Sequence, residues 1–159
     1  MVGVALTDQS TWCGMILDGH HMHPLAARLA LQSKPRGKLL LVTDAMSPVG
    51  TDEQQFDLFG EQVSRQGLQL TNSSGQLAGS ALDMASAVRY AITRLDVSEG
   101  EALKMASRYP AQCLGLSAGR LRKGDAASMV LLDRDWQVQQ CWINGASQLS
   151  GCCLSHDVG

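Results

Sequence analysis

Two runs of apolar residues, one through Cys13–Leu17 and one through Leu39–Val42, each stop at or just before an aspartate, Asp18 in "WCGMILDG" and Asp44 in "LLLVTDAM". A short, continuous apolar run bounded by turn residues predicts a strand buried on both faces. Between them, "HPLAARLALQSK" places Leu25, Leu29 and Ala30 at helical spacing. Pro24 falls near the first turn, where its missing N–H does no harm. Strand, helix and strand in that order predict a parallel sheet covered by helices, an α/β core.

From Phe56 to Leu70 the pattern alternates loosely and is broken by Gly60 and Gly67, which predicts a small antiparallel excursion. "TNSSGQLAGSALDM" then reads as a Ser/Gly-rich loop feeding a helix with Leu82, Ala85, Val88 and Ile92 on one side. Such a loop either offers backbone N–H groups to an anion or only caps the helix. A second helix fits "SEGEALKMASRYPAQCLGL", where Ser98 followed by Glu101 has capping-box spacing and Pro110 bends or ends the helix. "GRLRKGDAASMVLLD" and "VQQCWING" are two β-like runs forming a satellite sheet, with Trp136 and Trp142 packing it onto the main body. There is no internal repeat and no low-complexity segment.

Composition narrows the partners. The chain has 159 residues, 45% of them hydrophobic, which suits one globular domain with a core. A net charge of -2 with 13 scattered Lys and Arg residues argues against nucleic acid. Five cysteines show neither disulfide nor zinc spacing: Cys13, Cys113 and Cys141 read as core thiols, and Cys152 and Cys153 sit in a Ser/Gly-rich tail. Reduced thiols, no membrane span and no secretion signal point to the cytoplasm. "MVGVALTD" opens abruptly in apolar sequence, so a truncated start is expected.

Chemistry concentrates where the two strands stop. Catalytic groups of parallel α/β folds collect at the carboxyl ends of the strands. Asp44 there is either a general base and acid for water activated by a metal, or a cap for the Ser47-Pro48 turn. His20, His21 and His23 follow the other strand and fall on the same rim. Imidazoles so placed bind phosphate, ligate metal or shuttle protons, or are simply solvated.

Taken together, "DGHHMHP", "LLLVTDAMSPVG", "LAGSALDM", "MASRYPAQCLGL" and "GRLRKGDAASMVLLD" resemble, in order and spacing, the C-terminal part of the N-acetylglucosamine-6-phosphate deacetylase family of amidohydrolases. The resemblance implies an α/β fold that is the C-terminal part of a metal-dependent-hydrolase (β/α)8 TIM barrel, plus strands of a small β-sandwich. Residues 1–118 would be the barrel portion, 119–146 the sandwich strands and 147–159 an irregular tail. It implies that Asp44 is catalytic and that Asp18, Gly19, His20 and His21 form a substrate loop in which His21 holds the sugar phosphate. Leu77, Ala78 and Gly79 would form a second loop touching substrate through main-chain groups.

The family's cofactor is a divalent metal, zinc above all, but its ligands lie on earlier strands and are absent from this chain. The three loop histidines do not replace them, since the resemblance assigns that loop to substrate. The implied partners are an amino-sugar phosphate, the missing N-terminal half of the barrel, and a second subunit in a homodimer of the complete protein, with neither nucleic acid nor membrane. The implied reaction is hydrolysis of the acetamide to hexosamine 6-phosphate and acetate, in amino-sugar catabolism. The chain by itself is expected to be inactive. The alternatives are the N-acetylgalactosamine 6-phosphate epimer as substrate, and a non-catalytic half-barrel that binds sugar phosphate or pairs with a separate N-terminal half. Cyclic amide hydrolases and deaminases share the strand-end aspartate but are not expected to carry both loops.

Overall fold

The computed structural model of the chain describes residues 2–148. Helix α1 (Val2–Thr7) leads into β1 (Cys13–Ile16), α2 (Pro24–Ser33) and β2 (Leu39–Val42). Strands β1 and β2 pair in parallel, with Cys13 opposite Leu39 and Ile16 opposite Val42. This is the strand–helix–strand unit expected from the two apolar runs.

Alternation within these strands decides which face is covered. Met15, Leu39 and Leu41 are buried and pack with Ala27, Ala30, Val88 and Ala91 of the helices. The opposite face carries Ile16, Leu40 and Val42, which are only half-buried. Gly14 lies on that second face, where an added Cβ would stand 3.2 Å from the Val42 methyls. Close approach of β1 to β2 therefore depends on the missing side chain.

After Asp44 the chain builds a four-stranded antiparallel meander, β3 (Gln55–Leu58), β4 (Glu61–Gln66), β5 (Gln69–Asn72) and β6 (Leu77–Ser80). Phe56, Val63, Leu70 and Ala81 form its own small core. The excursion is larger than the alternation predicts. It takes in Leu77–Gly79, so this stretch is a strand and not the loop expected from its Ser/Gly-rich flank. The reason is non-local: Gln69 pairs with Ser80 and Thr71 with Leu77, and these partners use backbone groups that a loop would leave free.

Helices α3 (Met84–Leu95), α4 (Glu99–Ala106) and α5 (Arg108–Cys113) follow. Asp83 caps α3 by accepting from the Ser86 N–H at 2.8 Å, and the helix buries Ala87, Val88, Ala91 and Leu95. Ser98 occupies the N-cap of α4 but makes no side-chain capping bond, so the capping box does not form. Glu101 is instead engaged by the Tyr109 hydroxyl, which donates to its carboxylate at 3.0 and 3.1 Å. The helical run breaks at Ser107, ahead of Pro110, which then sits in the first turn of α5.

Strands β7 (Met129–Leu132), β8 (Val138–Ile143) and β9 (Ala146–Ser147) form a separate antiparallel sheet. Trp136 packs against the main core as expected, whereas no residue from 112 to 148 is fully buried. Cys113 is exposed, which corrects its reading as a core thiol: it lies on the outer side of α5, while Tyr109 and Ala111 face inward. Cys152, Cys153 and the tail from 149 onward lie outside the described residues. Lys34 is buried after α2, where its ammonium donates to the Asp8 carbonyl and the Thr11 hydroxyl and ties α2 to the α1–β1 connection. None of the described helices is long and apolar enough to cross a membrane.

Candidate functional site at the strand ends

Because Ile16 is opposite Val42 in a parallel pair, Asp18 and Asp44, each two residues further on, emerge on one rim. They differ in environment. The Asp18 side chain has no exposure, while that of Asp44 is 51% exposed.

Asp18 turns back on its own loop. Its Oδ1 accepts the backbone N–H groups of His20 and His21, both at 2.9 Å, and its Oδ2 lies 2.6 Å from His21 Nδ1. Burial pushes the Asp18 carboxyl up, but the His21 and His20 amides and the His21 ring outweigh it, leaving the group below the ordinary carboxylate range. An ionised carboxylate only accepts, so the proton between the two side chains belongs to Nδ1. His21 Nε2 is thereby turned outward, 3.8 Å from Asp44 Oδ2.

The other two histidines part company with this pair. His23 is the N-cap of α2, accepting the Leu25 N–H at 3.2 Å through its ring nitrogen. His20 gives its amide to Asp18, and its residue is exposed. Of the three, His21 is the one brought to Asp44.

Asp44 itself has a left-handed backbone, φ 54°. Asp tolerates that region because a short polar side chain relieves part of its cost. Its carbonyl accepts the Ser80 N–H at 2.8 Å, and the Ser80 carbonyl accepts the Met46 N–H at 2.9 Å, so the end of β6 joins the sheet beside β2 through an Ala45–Ser80 bridge. Gly79, at φ +83°, stands where an added Cβ would fall 2.4 Å from Met46 Cγ and 3.1 Å from the Asp44 carbonyl oxygen. Thus Leu77, Ala78 and Gly79 reach the rim as a strand neighbouring Asp44. The turn after Asp44 is held from the meander: Arg65 donates to the Pro48 carbonyl at 3.0 Å and to the Thr51 carbonyl at 2.9 Å.

Sequence reasoning passed over Ser80 and Arg65, whose partners are distant along the chain. It also missed that Asp18 faces inward. The Asp-Gly that opens "DGHH" could have shown this, since Asp commonly accepts amides two and three residues ahead.

Among the described residues, no group of three or more His, Cys, Asp or Glu side chains is placed to hold a metal ion. The donor set of this rim, one buried carboxylate already saturated by its loop, one imidazole and one exposed carboxylate, does not fit a divalent metal centre. What it can do is exchange a proton at Asp44 and contact an anion or hydroxyl at His21 Nε2.

The Amidohydrolase family profile matches residues 8–147. The chain is 47% identical over 146 residues to N-acetylgalactosamine-6-phosphate deacetylase of Shewanella sp. (strain ANA-3), covering 91% of this chain but 37% of that relative. It is 42% identical over 147 residues to an Escherichia coli (strain K12) protein provisionally named N-acetylgalactosamine-6-phosphate deacetylase, covering 91% of this chain and 87% of that one. The crystal structure of N-acetylglucosamine-6-phosphate deacetylase from Pasteurella multocida superposes with a TM-score of 0.88 at 30% identity, over 94% of this chain and 39% of that chain. This chain thus spans a little over a third of the Shewanella relative and nearly all of the Escherichia coli one. With its profile match running from the α1–β1 connection through β9, the chain belongs to the amidohydrolase family.

Proposed function

We propose that this chain carries the proton-transfer and sugar-phosphate side of an N-acetylhexosamine-6-phosphate deacetylase. The observation that carries the reading is the Asp18–His21–Asp44 arrangement on one strand-end rim, in a chain whose relatives of 47% and 42% identity bear deacetylase names. In this reading residues 1–118 are part of a (β/α)8 barrel and residues 119–146 contribute strands to a small β-sandwich. The half-exposed face of Ile16, Leu40 and Val42 supports it, because parallel strands are ordinarily covered on both faces.

The chemistry assigned to Asp44 is a proton relay. Its carboxylate takes a proton as a water oxygen adds to the acetamide carbonyl, and returns it to the amide nitrogen as the C–N bond breaks. One water is consumed, and acetate and the hexosamine 6-phosphate leave. A divalent metal, when bound, would make the attacking water easier to deprotonate and polarise the acetamide carbonyl. Its ligands are not supplied by the described residues, so this chain contributes Asp44 and substrate placement. His21 meets the phosphate through Nε2. Its other ring nitrogen stays on Asp18, which holds the imidazole in that direction. Gly19 and His20 complete that loop, and Leu77, Ala78 and Gly79 border the substrate from β6. The setting is cytoplasmic amino-sugar breakdown, in a protein that acts as a homodimer when complete.

The galactosamine epimer is favoured over the glucosamine one by a specific observation. The relatives at 47% and 42% identity carry the galactosamine name, whereas relatives with the glucosamine name stand at 32–38%. The test is acetate release from both sugar phosphates by the chain with added zinc, alone and mixed with the separately expressed remainder of the Shewanella relative. Activity in the mixture alone, faster on the galactosamine substrate and abolished by Asp44→Asn, is the expected result. Acetate from the chain by itself would overturn the placement of the metal ligands elsewhere. Silence of a folded mixture would favour a sugar-phosphate-binding remnant.

A further inference from the structure

The Asp44 side chain makes no hydrogen bond of its own among the described residues, and the ionisable group closest to it there, His21 Nε2, lies at 3.8 Å, beyond hydrogen-bond reach. Nothing on the side-chain side therefore holds the carboxylate in direction. Its aim is set by the backbone, which is in the left-handed region at φ 54° and costs free energy for any residue but glycine. Something must over-determine that conformation.

Ser80 meets the requirement from four sides. It has no solvent exposure. Its N–H donates to the Asp44 carbonyl at 2.8 Å and its carbonyl accepts the Met46 N–H at 2.9 Å. Its hydroxyl donates to the Thr43 carbonyl and accepts the Leu82 N–H at 3.1 Å. One side chain and its peptide groups thus engage the residues immediately before and two after Asp44, as well as Asp44 itself. The approach is possible because Gly79 has no Cβ to meet Met46 and the Asp44 carbonyl.

We propose that Ser80 is a positioning residue: its buried hydroxyl fixes Thr43 and so holds Asp44 in the left-handed conformation that points its carboxylate at His21. The functional weight of this rests on Asp44 being the proton-transfer group, whereas the positioning itself does not. Two of the four other left-handed non-glycine residues among those described, Asp96 at φ 58° in the C-cap of α3 and Phe59 at φ 54° in the β3–β4 turn, lie outside this clamp and serve as internal controls.

The test is heteronuclear NMR on the full chain. A positive φ gives a strong intraresidue amide-to-Hα Overhauser effect, expected in the parent at Asp44, Asp96 and Phe59. In Ser80→Ala the Asp44 signal is expected to weaken to that of an averaged backbone while Asp96 and Phe59 keep theirs. Ser80→Cys fills similar space with a weak donor and should do the same, and it is read in place of Ser80→Ala if that variant does not fold. An unchanged Asp44 signal in the variant read overturns the proposal. In the mixture assay, Ser80→Ala is expected to lower kcat on the order of 10²-fold with KM held within about twofold, since small misplacement of a reacting group costs that much. A rise in KM with kcat retained would also overturn it. A parent that releases no acetate would count against the deacetylase reading, and the NMR result would still decide the role of Ser80.

Discussion

His21 Nδ1 stands 2.6 Å from Asp18 Oδ2, so a buried carboxylate fixes which nitrogen of the exposed-side imidazole faces Asp44. Asp18 is a support and His21 the group that it presents. The same carboxylate holds two loop amides, so it braces the loop as well as the ring.

Asp18→Asn is therefore expected to cost about 1–3 kcal/mol of stability at pH 7, from charge-assisted bonds weakened at a buried site. The effect depends on pH in a defined direction. The folded Asp18 carboxyl lies below its unfolded value of about 3.9, so the unfolded chain binds more protons in that window and stability rises with pH there. Its contribution is fully present above the unfolded value and disappears as pH falls through the folded one. Urea unfolding at several pH values should show the gap between parent and Asp18→Asn closing toward low pH. Asp8 is also lowered, chiefly by the Ser10 hydroxyl and amide, but it is common to both proteins and cancels in the difference. A gap that widens on acidification would contradict this account.

Gly79→Ala is expected to destabilise by about 1–3 kcal/mol, since alanine at φ +83° is strained and its Cβ would overlap Met46. The two parts separate in a double-mutant cycle. Shortening Met46 to alanine removes the Cγ and Sδ that stand 2.4 and 2.8 Å from the new Cβ, but not the backbone cost or the Asp44 carbonyl at 3.1 Å. The double variant should thus lose about 1 kcal/mol less than the sum of the singles. Additivity in chemical denaturation would mean that Met46 already moves freely aside.

These cases mark what could be seen along the chain. The β1–α2–β2 unit was legible because its apolar runs and helical spacing are local, and its parallel pairing brought Asp18, His21 and Asp44 to one rim as expected. Leu77–Ser80 was not, because a four-residue stretch containing Gly79 becomes a strand only through Gln69, Thr71 and Ala45. His23 was grouped with its neighbours although the Pro24 beside it already marked a helix start that needed a cap. Ser98 had the spacing of a capping box, but Glu101 was drawn away by Tyr109, eight residues on. Local patterns carried the site's frame, and long-range hydrogen bonds fixed its details.

Arg65→Ala should loosen the turn that follows Asp44. Arg65 bridges the Pro48 and Thr51 carbonyls, and the Thr51 amide itself bonds to Pro48 at 3.1 Å, so that amide reports on the turn. Its hydrogen exchange is expected to quicken at least about tenfold with global stability changed by about 1 kcal/mol. Arg65→Lys should restore only part of the protection: an ammonium can meet both carbonyls as Nη1 does, but it loses the Nε–H bond to the Gly67 carbonyl at 3.0 Å that anchors the side chain. Unchanged exchange at Thr51 would show that the turn holds itself.

Asp44→Asn separates chemistry from folding most sharply. The side chain is 51% exposed and among the described residues its closest ionisable neighbour, His21 Nε2, is 3.8 Å away, so the variant should unfold within about 0.5 kcal/mol of the parent. It keeps the shape of the carboxylate but cannot accept and return a proton, and in the mixture assay acetate release is expected to fall by about 10²–10⁴-fold with KM little changed. A large loss of stability would make Asp44 a structural cap of its turn. Retained turnover would move the proton transfer to another group, and His21, with Nε2 facing the same space, would be the first to replace.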